Sequence, residues 1–587
     1  MQLCIVCIVV ANCSSIPGQQ PTPSPSPRAG RAYTVADLPK LPPSPGPQGQ
    51  SPVTFEDITT SVKLDFVHQA SPTSMKYLPE TMGGGVALLD YNNDGLLDVF
   101  FTNGALLKEF IGKNEVPDKT DSRFWNRLYR QKGDGTFEDV TERAGLKGSG
   151  YSMGVAAGDF DNDGNVDLYV TGYGGNHLYR NLGNGTFADV TDKLNVGGGG
   201  WSTSAGWFDY DHDGRLDLFV ARYLDWDFEK GAILCGDTRP GLRAYCHPDN
   251  FKGMTNIIYH QTSKGTFEDV TEKLGIADPT GKALGVAFAD FDNDGWTDIF
   301  VANDSVRQSL YHNNRGQSFS DIAMMAGAGF NENGKTFAGM GVDTADFNND
   351  GWVDVVITTL SNETYPLFQN NGDLSFSWVT NTTVLGQISL VYSGWGIKFI
   401  DFDNDGLRDI FVAQSHVLDT IEGSTSYLRY KQPPLLIRNI GKGFVNVSAT
   451  AGRSFAVPVV GRGIAFGDLN NDGQIDAVVS TLNGPPIVLR NGGSKNHWIG
   501  VTLTGSKSNR QGFGARIIVV DSKDRKQNFD VSSGGSYLSS NDPRIIAGLG
   551  EADGVKLIEV HWPSGVNQTI TNPVVNRYLT IDEREGR

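Results

Sequence analysis

The 587-residue chain is short of basic residues, of cysteine and of long apolar runs. Lys and Arg number 49 against 67 Asp and Glu, a formal charge of −18. With no basic stripe to neutralise phosphates, nucleic acid is excluded as a partner. The apolar stretch near the start, Leu3–Ala11, is too short to span a bilayer. Long helical periodicity is missing too. In its place come short runs of Val, Ile, Phe and Tyr broken by Asn, Asp and 72 glycines, the pattern of an all-β chain. The nine histidines are scattered, and no Ser/His/Asp or paired-carboxylate set stands at a catalytic spacing, so no catalytic residue is assigned. The "GFGA" at Gly512–Ala515 is followed by strand residues rather than a helix and is no dinucleotide fingerprint.

Of the five cysteines, Cys4, Cys7 and Cys13 fall in the first 13 residues. "MQLCIVCIVVANC", residues 1–13, has the short apolar core of an export signal. Its "VVANC" resembles a bacterial lipoprotein cleavage box, which would make Cys13 the lipidated residue and the sole membrane attachment. Residues 14–50 are rich in Pro and Ser and should remain extended and unpacked, a tether behind the signal. These features place the chain outside the cytoplasm of a bacterium, secreted or anchored to the envelope. Cys235 and Cys246 stand in "LCGDTRPGLRAYC", within an insertion near 224–256, and in an exported chain a disulfide is expected.

One pattern recurs seven times, as in "GDFDNDGNVDLYV" from Gly158 and "IDFDNDGLRDIFV" from Ile400. Six copies carry a glycine five residues before the first Asp: Gly85, Gly154, Gly285, Gly341, Gly396 and Gly463. After each copy comes a Gly-rich hairpin such as "LYRNLGNGTFADVT" from Leu178, giving about four strands per unit, one propeller blade. The seventh copy reaches "IVLRNGG" from Ile487 and lacks its last strand, which "VTFEDIT" at Val53–Thr59 can supply. A seven-bladed propeller over 51–493, sealed by its N-terminal strand, is therefore expected.

The pattern also carries metal chemistry. Positions 1, 3 and 5 of a tight loop turn carboxylates inward, Gly at 6 makes the bend, and position 9 supplies a last carboxylate; calcium favours such oxygen sets. The ligand candidates are Asp90, Asn92, Asp94 and Asp98; Asp159, Asp161, Asp163 and Asp167; Asp209, Asp211, Asp213 and Asp217; Asp290, Asp292, Asp294 and Asp298; Asp346, Asn348, Asp350 and Asp354; Asp401, Asp403, Asp405 and Asp409; Asp468, Asn470, Asp472 and Asp476. An EF-hand would need Glu at position 12, where Val170 stands in the second copy, and flanking helices. The three loops with Asn at position 3 lose a charge and are expected to bind more weakly. These loops hold 25 of the 67 acidic residues, so up to seven Ca²⁺ would remove most of the net charge.

The repeats resemble the FG-GAP/VCBS repeats of integrin α-subunit propellers and their bacterial relatives. Beyond them, "NHWIGVTLTGSKSNRQGFGARIIVV", "SSGGSYLSSNDPRIIAGLG" and "KLIEVHWPSG" resemble the ASPIC/UnbV domain of the cartilage acidic protein-like family, and "YC" at Tyr245–Cys246 fits it as well. Together the resemblances cover about residues 53–585. They imply a small β-rich, sandwich-like domain over 494–587 and calcium that braces blades rather than catalyses. The favoured function is binding or adhesion to an extracellular protein or glycan. A calcium-braced enzyme acting on carbohydrate, of lyase or dehydratase type, and a purely structural envelope component stand as alternatives. The polar residues ending the strand after each loop (Asn103, Gly172, Arg222, Asn303, Thr359, Gln414, Thr481) are expected to gather on one face, with Asn303–Ser305 and Gln414–His416 in adjoining loops.

Overall fold

A computed structural model describes residues 29–32, 46, 48–113, 115–236 and 243–585. The expected export signal, with Cys13, and most of the 14–50 stretch lie outside these residues. Seven four-stranded antiparallel sheets follow one another in chain order. In the second, Tyr151–Gly158, Asp167–Tyr173, His177–Asn181 and Phe187–Asp189 pair in sequence. The seventh is Gly461–Gly467, Asp476–Thr481 and Ile487–Asn491, completed by Phe55–Asp57 from the other end of the chain. The register is Phe55 opposite Asn491 and Asp57 opposite Leu489. This clasp leaves no blade short of a strand, as the split repeat requires.

The glycines five residues before each loop explain how the innermost strands approach. A Cβ on Gly154 would lie 2.7 Å from the Thr203 carbonyl of the next blade, and one on Gly396 would lie 2.9 Å from the Arg462 carbonyl. Blade 3 has Ser204 there instead, and its hydroxyl donates to the Leu284 carbonyl at 2.6 Å, turning the close approach into a hydrogen bond.

The C-terminal domain stacks two sheets. One pairs His497–Thr504 with Ile545–Gly550 and, in parallel, with Tyr578–Asp582. The other orders Lys526–Asp530, Arg516–Asp521, Val555–His561 and Asn567–Thr571. Their facing apolar residues, among them Ile499, Ile517, Val519 and Val560, form a core continuous with Trp207 of blade 3. Near the chain end, the buried Glu583 carboxylate accepts the N–H groups of Ser506 (2.6 Å), Lys507 (2.6 Å) and Ser508 (3.0 Å).

The segment Ser532–Asp542 of this domain runs down the propeller axis and touches every blade. Ser540 pairs with Val86 and Leu88 of blade 1, and the Leu538 carbonyl accepts Val155 N–H of blade 2. Leu538 N–H meets Ser204 of blade 3, Gly535 N–H the Val286 carbonyl of blade 4, and the Ser536 carbonyl Val342 N–H of blade 5. Tyr537 packs edge-on against Trp395 of blade 6, and Ser536 Oγ donates to Ile464 O of blade 7 at 2.8 Å. The channel is filled by the protein's own chain.

The 14–50 stretch departs from its expected unpacked state where it is described. Ala29 and Ala32 bridge Leu234 and Cys246, and Gln48 bridges Asn446 of blade 6. The backbone of the insertion hairpin and of the last strand of blade 6 supplies partners to this segment despite its Pro-rich composition.

Candidate functional site

Each loop closes the turn between the first and second strands of its blade. The first Asp fixes the loop: Asp159 Oδ1 accepts Asp163 N–H at 3.0 Å and Oδ2 accepts Gly164 N–H at 2.8 Å. The position-4 residue takes a left-handed conformation in all seven copies, where Asn is tolerated. In six copies this Asn donates to the position-6 carbonyl of the next loop, as Asn162 does to Gly214 at 2.9 Å and Asn471 to Gly95 at 2.9 Å. Loop 3 has His212, which stacks on Trp296 of loop 4 at 3.9 Å between ring centres.

The position-9 carboxylates (Asp98, Asp167, Asp217, Asp298, Asp354, Asp409, Asp476) are all buried. Asp167 is representative: Oδ2 accepts Phe160 N–H of its own loop at 3.1 Å, and Oδ1 accepts Asn181 N–H of the third strand at 2.7 Å. Sequence reasoning took this residue only as a ligand; it also ties loop to blade. Burial pushes Asp98, Asp354 and Asp476 up to about 8 and Asp167 up to about 9. A bound cation would offset that desolvation and hold these groups ionised.

A second ring was missed in the sequence. The last residue of each third strand is Asn or Gln, and its amide donates to the position-2 carbonyl of the preceding blade's loop. Gln131 reaches Leu469, Asn181 reaches Tyr91, Gln261 reaches Phe160 and Asn313 reaches Tyr210. Asn370 reaches Phe291, Asn439 reaches Phe347 and Asn491 reaches Phe402. The Gln131 bond, 3.0 Å, joins blade 1 to blade 7 and closes the circle. The signal was present in the recurring "YRN", "YHQ" and "FQN" endings, but a sequence names no partner for them.

The residue before that amide is Arg or His in six blades and Gln369 in the fifth. Where position 3 is Asp, a cation faces it: Arg180 on Asp161 and Asp163, His260 on Asp211 and Asp217, His312 on Asp292 and Asp298, and Arg438 on Asp403 and Asp405. Its hydrogen bond to Asp217 raises His260 above the usual imidazole range, and Asp298 does the same for His312. Where position 3 is Asn, its amide bridges to position 5, as Asn348 does to Asp350 at 2.8 Å; in loop 5 Gln369 stands where the cation would be, while loops 1 and 7 keep Arg130 and Arg490 there.

The residues fit a hard cation. Every donor is oxygen, and Asp161 Oδ1, Asp211 Oδ1 and Asp403 Oδ1, all at position 3, are buried with no hydrogen-bond partner among the described residues.

The C-terminal domain covers this face. Asn528 donates to Asp346 Oδ2 at 3.1 Å and Tyr578 OH to Asp468 Oδ2 at 2.8 Å. Arg516 bonds Asn293 and the Gly351 carbonyl, Arg525 the Asp405 carbonyl, and Arg510 N–H the Asn162 side chain.

The opposite face carries the insertion. Cys235 and Cys246 are bonded there, with Cα atoms 5.2 Å apart, across the hairpin Cys235–Gly236 and Arg243–Ala244. The polar strand ends do gather on this side, but most are buried and spent on the backbone. Asn103 bonds the carbonyls of Arg123 and Trp125, Gln414 that of Pro433, and Thr481 that of Pro485. They shape loops rather than offer a ligand surface, because a buried polar group must be paired. Beside them lies a cavity of about 240 Å³ lined by Ser305 and His416 of the adjoining loops and by Glu363, which no sequence motif marks.

An FG-GAP-like repeat model matches residues 90–170, 159–220, 249–301, 290–357 and 346–412. The chain belongs to the FG-GAP-like repeat family. The ASPIC and UnbV model matches residues 505–587, the domain seated on the loop face. Human cartilage acidic protein 1 is 26% identical over 322 residues, 53% of this chain and 46% of that protein. The Xenopus tropicalis protein is 26% identical over 323 residues, 53% and 47% of the two chains. The chain therefore matches about half the length of these curated relatives. Among solved structures, an Agrocybe aegerita lectin recognising non-reducing terminal N-acetylglucosamine aligns at TM-score 0.35 and 16% identity, covering 62% of this chain and 80% of its own. Rhamnogalacturonan lyase YesW aligns at TM-score 0.34 and 10% identity, covering 75% of each. At such scores neither bears on this chain's ligand.

Proposed function

We propose that this FG-GAP protein is an exported, calcium-braced binding module that presents the face opposite its metal loops to an extracellular protein or glycan. The observation that carries the reading is the seating of the C-terminal domain. Its side chains cover the loop face and its Ser532–Asp542 segment fills the axis, so the insertion face is left for a partner. Insertions and irregular loops on a rigid scaffold are where binding residues concentrate. The disulfide beneath that face supports a location outside the cytoplasm, secreted or held at a bacterial envelope through Cys13.

Calcium, in this reading, is a brace. The carboxylates at positions 1, 3, 5 and 9, with Asn92, Asn348 and Asn470, would hold it. When bound, it supplies charge neutralisation to groups that otherwise repel. The chain's own residues do the rest: the amide ring, the position-4 ring and the axial segment set the blades in register. A screen of glycans and extracellular proteins, with calcium and with chelator, tests the function. Binding that requires calcium and is lost on altering the insertion face is expected; binding that maps to the loop face would overturn the reading.

A carbohydrate lyase or dehydratase is the second reading. The observation in its favour is Glu363, a carboxyl in the insertion-face cavity that burial pushes up to about 7, suited to proton transfer. Product release from a panel of uronic-acid polysaccharides, absent in Glu363→Gln, would establish it.

A further inference from the structure

The insertion-face cavity has a composition that selects among ligand classes. It lies where the loops leaving the second strands of blades 4, 5 and 6 converge: Ser305 follows Asp298–Asn303, Glu363 follows Asp354–Ile357, and His416 follows Asp409–Gln414. Part of its lining is apolar, Leu418 and Ile421 among it. The rest is polar and held in place. Glu363 accepts Ala338 N–H at 3.0 Å through one carboxyl oxygen, Oε2. His416 Nδ1 accepts Leu418 N–H at 3.0 Å, which fixes the tautomer and puts the ring proton on Nε2. Ser305, in a left-handed conformation, donates its hydroxyl to Asp304 Oδ1 at 2.8 Å.

The charges here cancel or are suppressed. Burial lowers His416 to about 4, so its imidazole is neutral, and the same effect leaves the Glu363 carboxyl near half-protonated at neutral pH. Arg31 and Asp249 at the rim pair with each other at 2.7 Å. Among the described lining residues a phosphate or carboxylate would meet Arg31 already paired to Asp249, and an ammonium would meet Asp249 already paired to Arg31. What the cavity does offer is a lining that combines apolar side chains with a fixed N–H donor, a carboxyl and a hydroxyl, within a volume suited to one six-membered ring.

We propose that this cavity is a binding site for a single neutral sugar residue, its apolar face on Leu418 and Ile421 and its hydroxyls toward Glu363 and His416. The proposal deepens the binding reading and rests on it. The unit would be the terminal residue of a longer glycan, because the cavity has room for little more.

Saturation-transfer NMR on the full chain in calcium, with the methyl glycosides of glucose, galactose, mannose and N-acetylglucosamine as probes, tests it. N-acetylneuraminic acid and lysine amide serve as charged comparators. Two variants complete the set. Glu363→Gln keeps an acceptor for Ala338 N–H, and Thr336→Trp places a large side chain at the mouth from an exposed position, so its folding is not at stake. The expected result is saturation of at least one neutral glycoside, weakened about tenfold or more in Glu363→Gln and abolished in Thr336→Trp. Saturation unchanged in both variants would overturn the site while leaving a binding module. Saturation by a charged comparator alone would overturn the neutral-sugar class. No saturation by any probe, with a protein partner still captured on the insertion face, would overturn the sugar site and keep the function; no partner of any kind would remove both.

Discussion

Removing one amide from the inter-blade ring should destabilise the propeller far more than removing its neighbour in the same hairpin. Asn313 is fully buried. Its Nδ2 donates to Tyr210 O at 3.0 Å in blade 3 and to Thr297 O at 3.1 Å, and its Oδ1 accepts Gly316 N–H at 2.8 Å. Asn313→Ala deletes all three bonds, at about 1 kcal/mol each net, and strands two carbonyls that water cannot reach. Side-chain entropy returned to the folded state offsets roughly 0.5 kcal/mol, so a loss of about 3 kcal/mol is expected. Asn314, the next residue, bonds only the Ser318 and Ser320 hydroxyls at the turn, and Asn314→Ala should stay within about 0.5 kcal/mol of the parent. Guanidinium unfolding at saturating calcium, followed by tryptophan fluorescence, gives both values. Coincident midpoints for the two variants would refute the claim that this ring holds blades together.

Three further outcomes follow from the same contacts. Chelation should lower the melting temperature and expose the position-9 carboxylates to protonation near neutral pH, and elemental analysis of the untreated protein should give up to seven calcium per chain; an unchanged melting temperature in chelator would remove calcium as a brace. Asn348→Asp should weaken rather than strengthen metal binding at loop 5, since a fourth carboxylate arrives without its cation; adding Gln369→Arg should restore it, and tighter binding by the single variant would contradict the charge balance. Burial alone would raise Glu583, but hydrogen bonds from Ser564 and the N–H groups of Ser506, Lys507 and Ser508 outweigh it and hold the carboxyl at about 2. A depressed folded pKa gives stability that is present above the unfolded value of about 4.5 and lost as pH falls toward 2, so the stability gap between parent and Glu583→Gln should close over that range.

The repeat was legible because its determinants are local. Alternate carboxylates around a glycine and a strand of Val and Phe lie within 13 residues, and seven copies with one broken at the end dictate a closed ring. What stayed hidden depends on radius and on distant partners. The recurring Asn of "YRN" is visible, but that Asn181 reaches Tyr91, 90 positions back, follows only once blades are stacked at a fixed angle. Ser532–Asp542, "SSGGSYLSSND", has no period and little apolar surface. Its fit arises because small side chains let backbone pass close to seven inner strands, while Tyr537 fills the space beneath Trp395. The polar strand ends gather on one face as their spacing implies, but only the folded loops show that carbonyls claim the amides of Asn103 and Gln414. The cavity beside them takes its key carboxyl from Glu363 in a loop with no repeat signature. A repeat fixes the scaffold, and a site made by departures from the repeat becomes visible only when those departures meet in space.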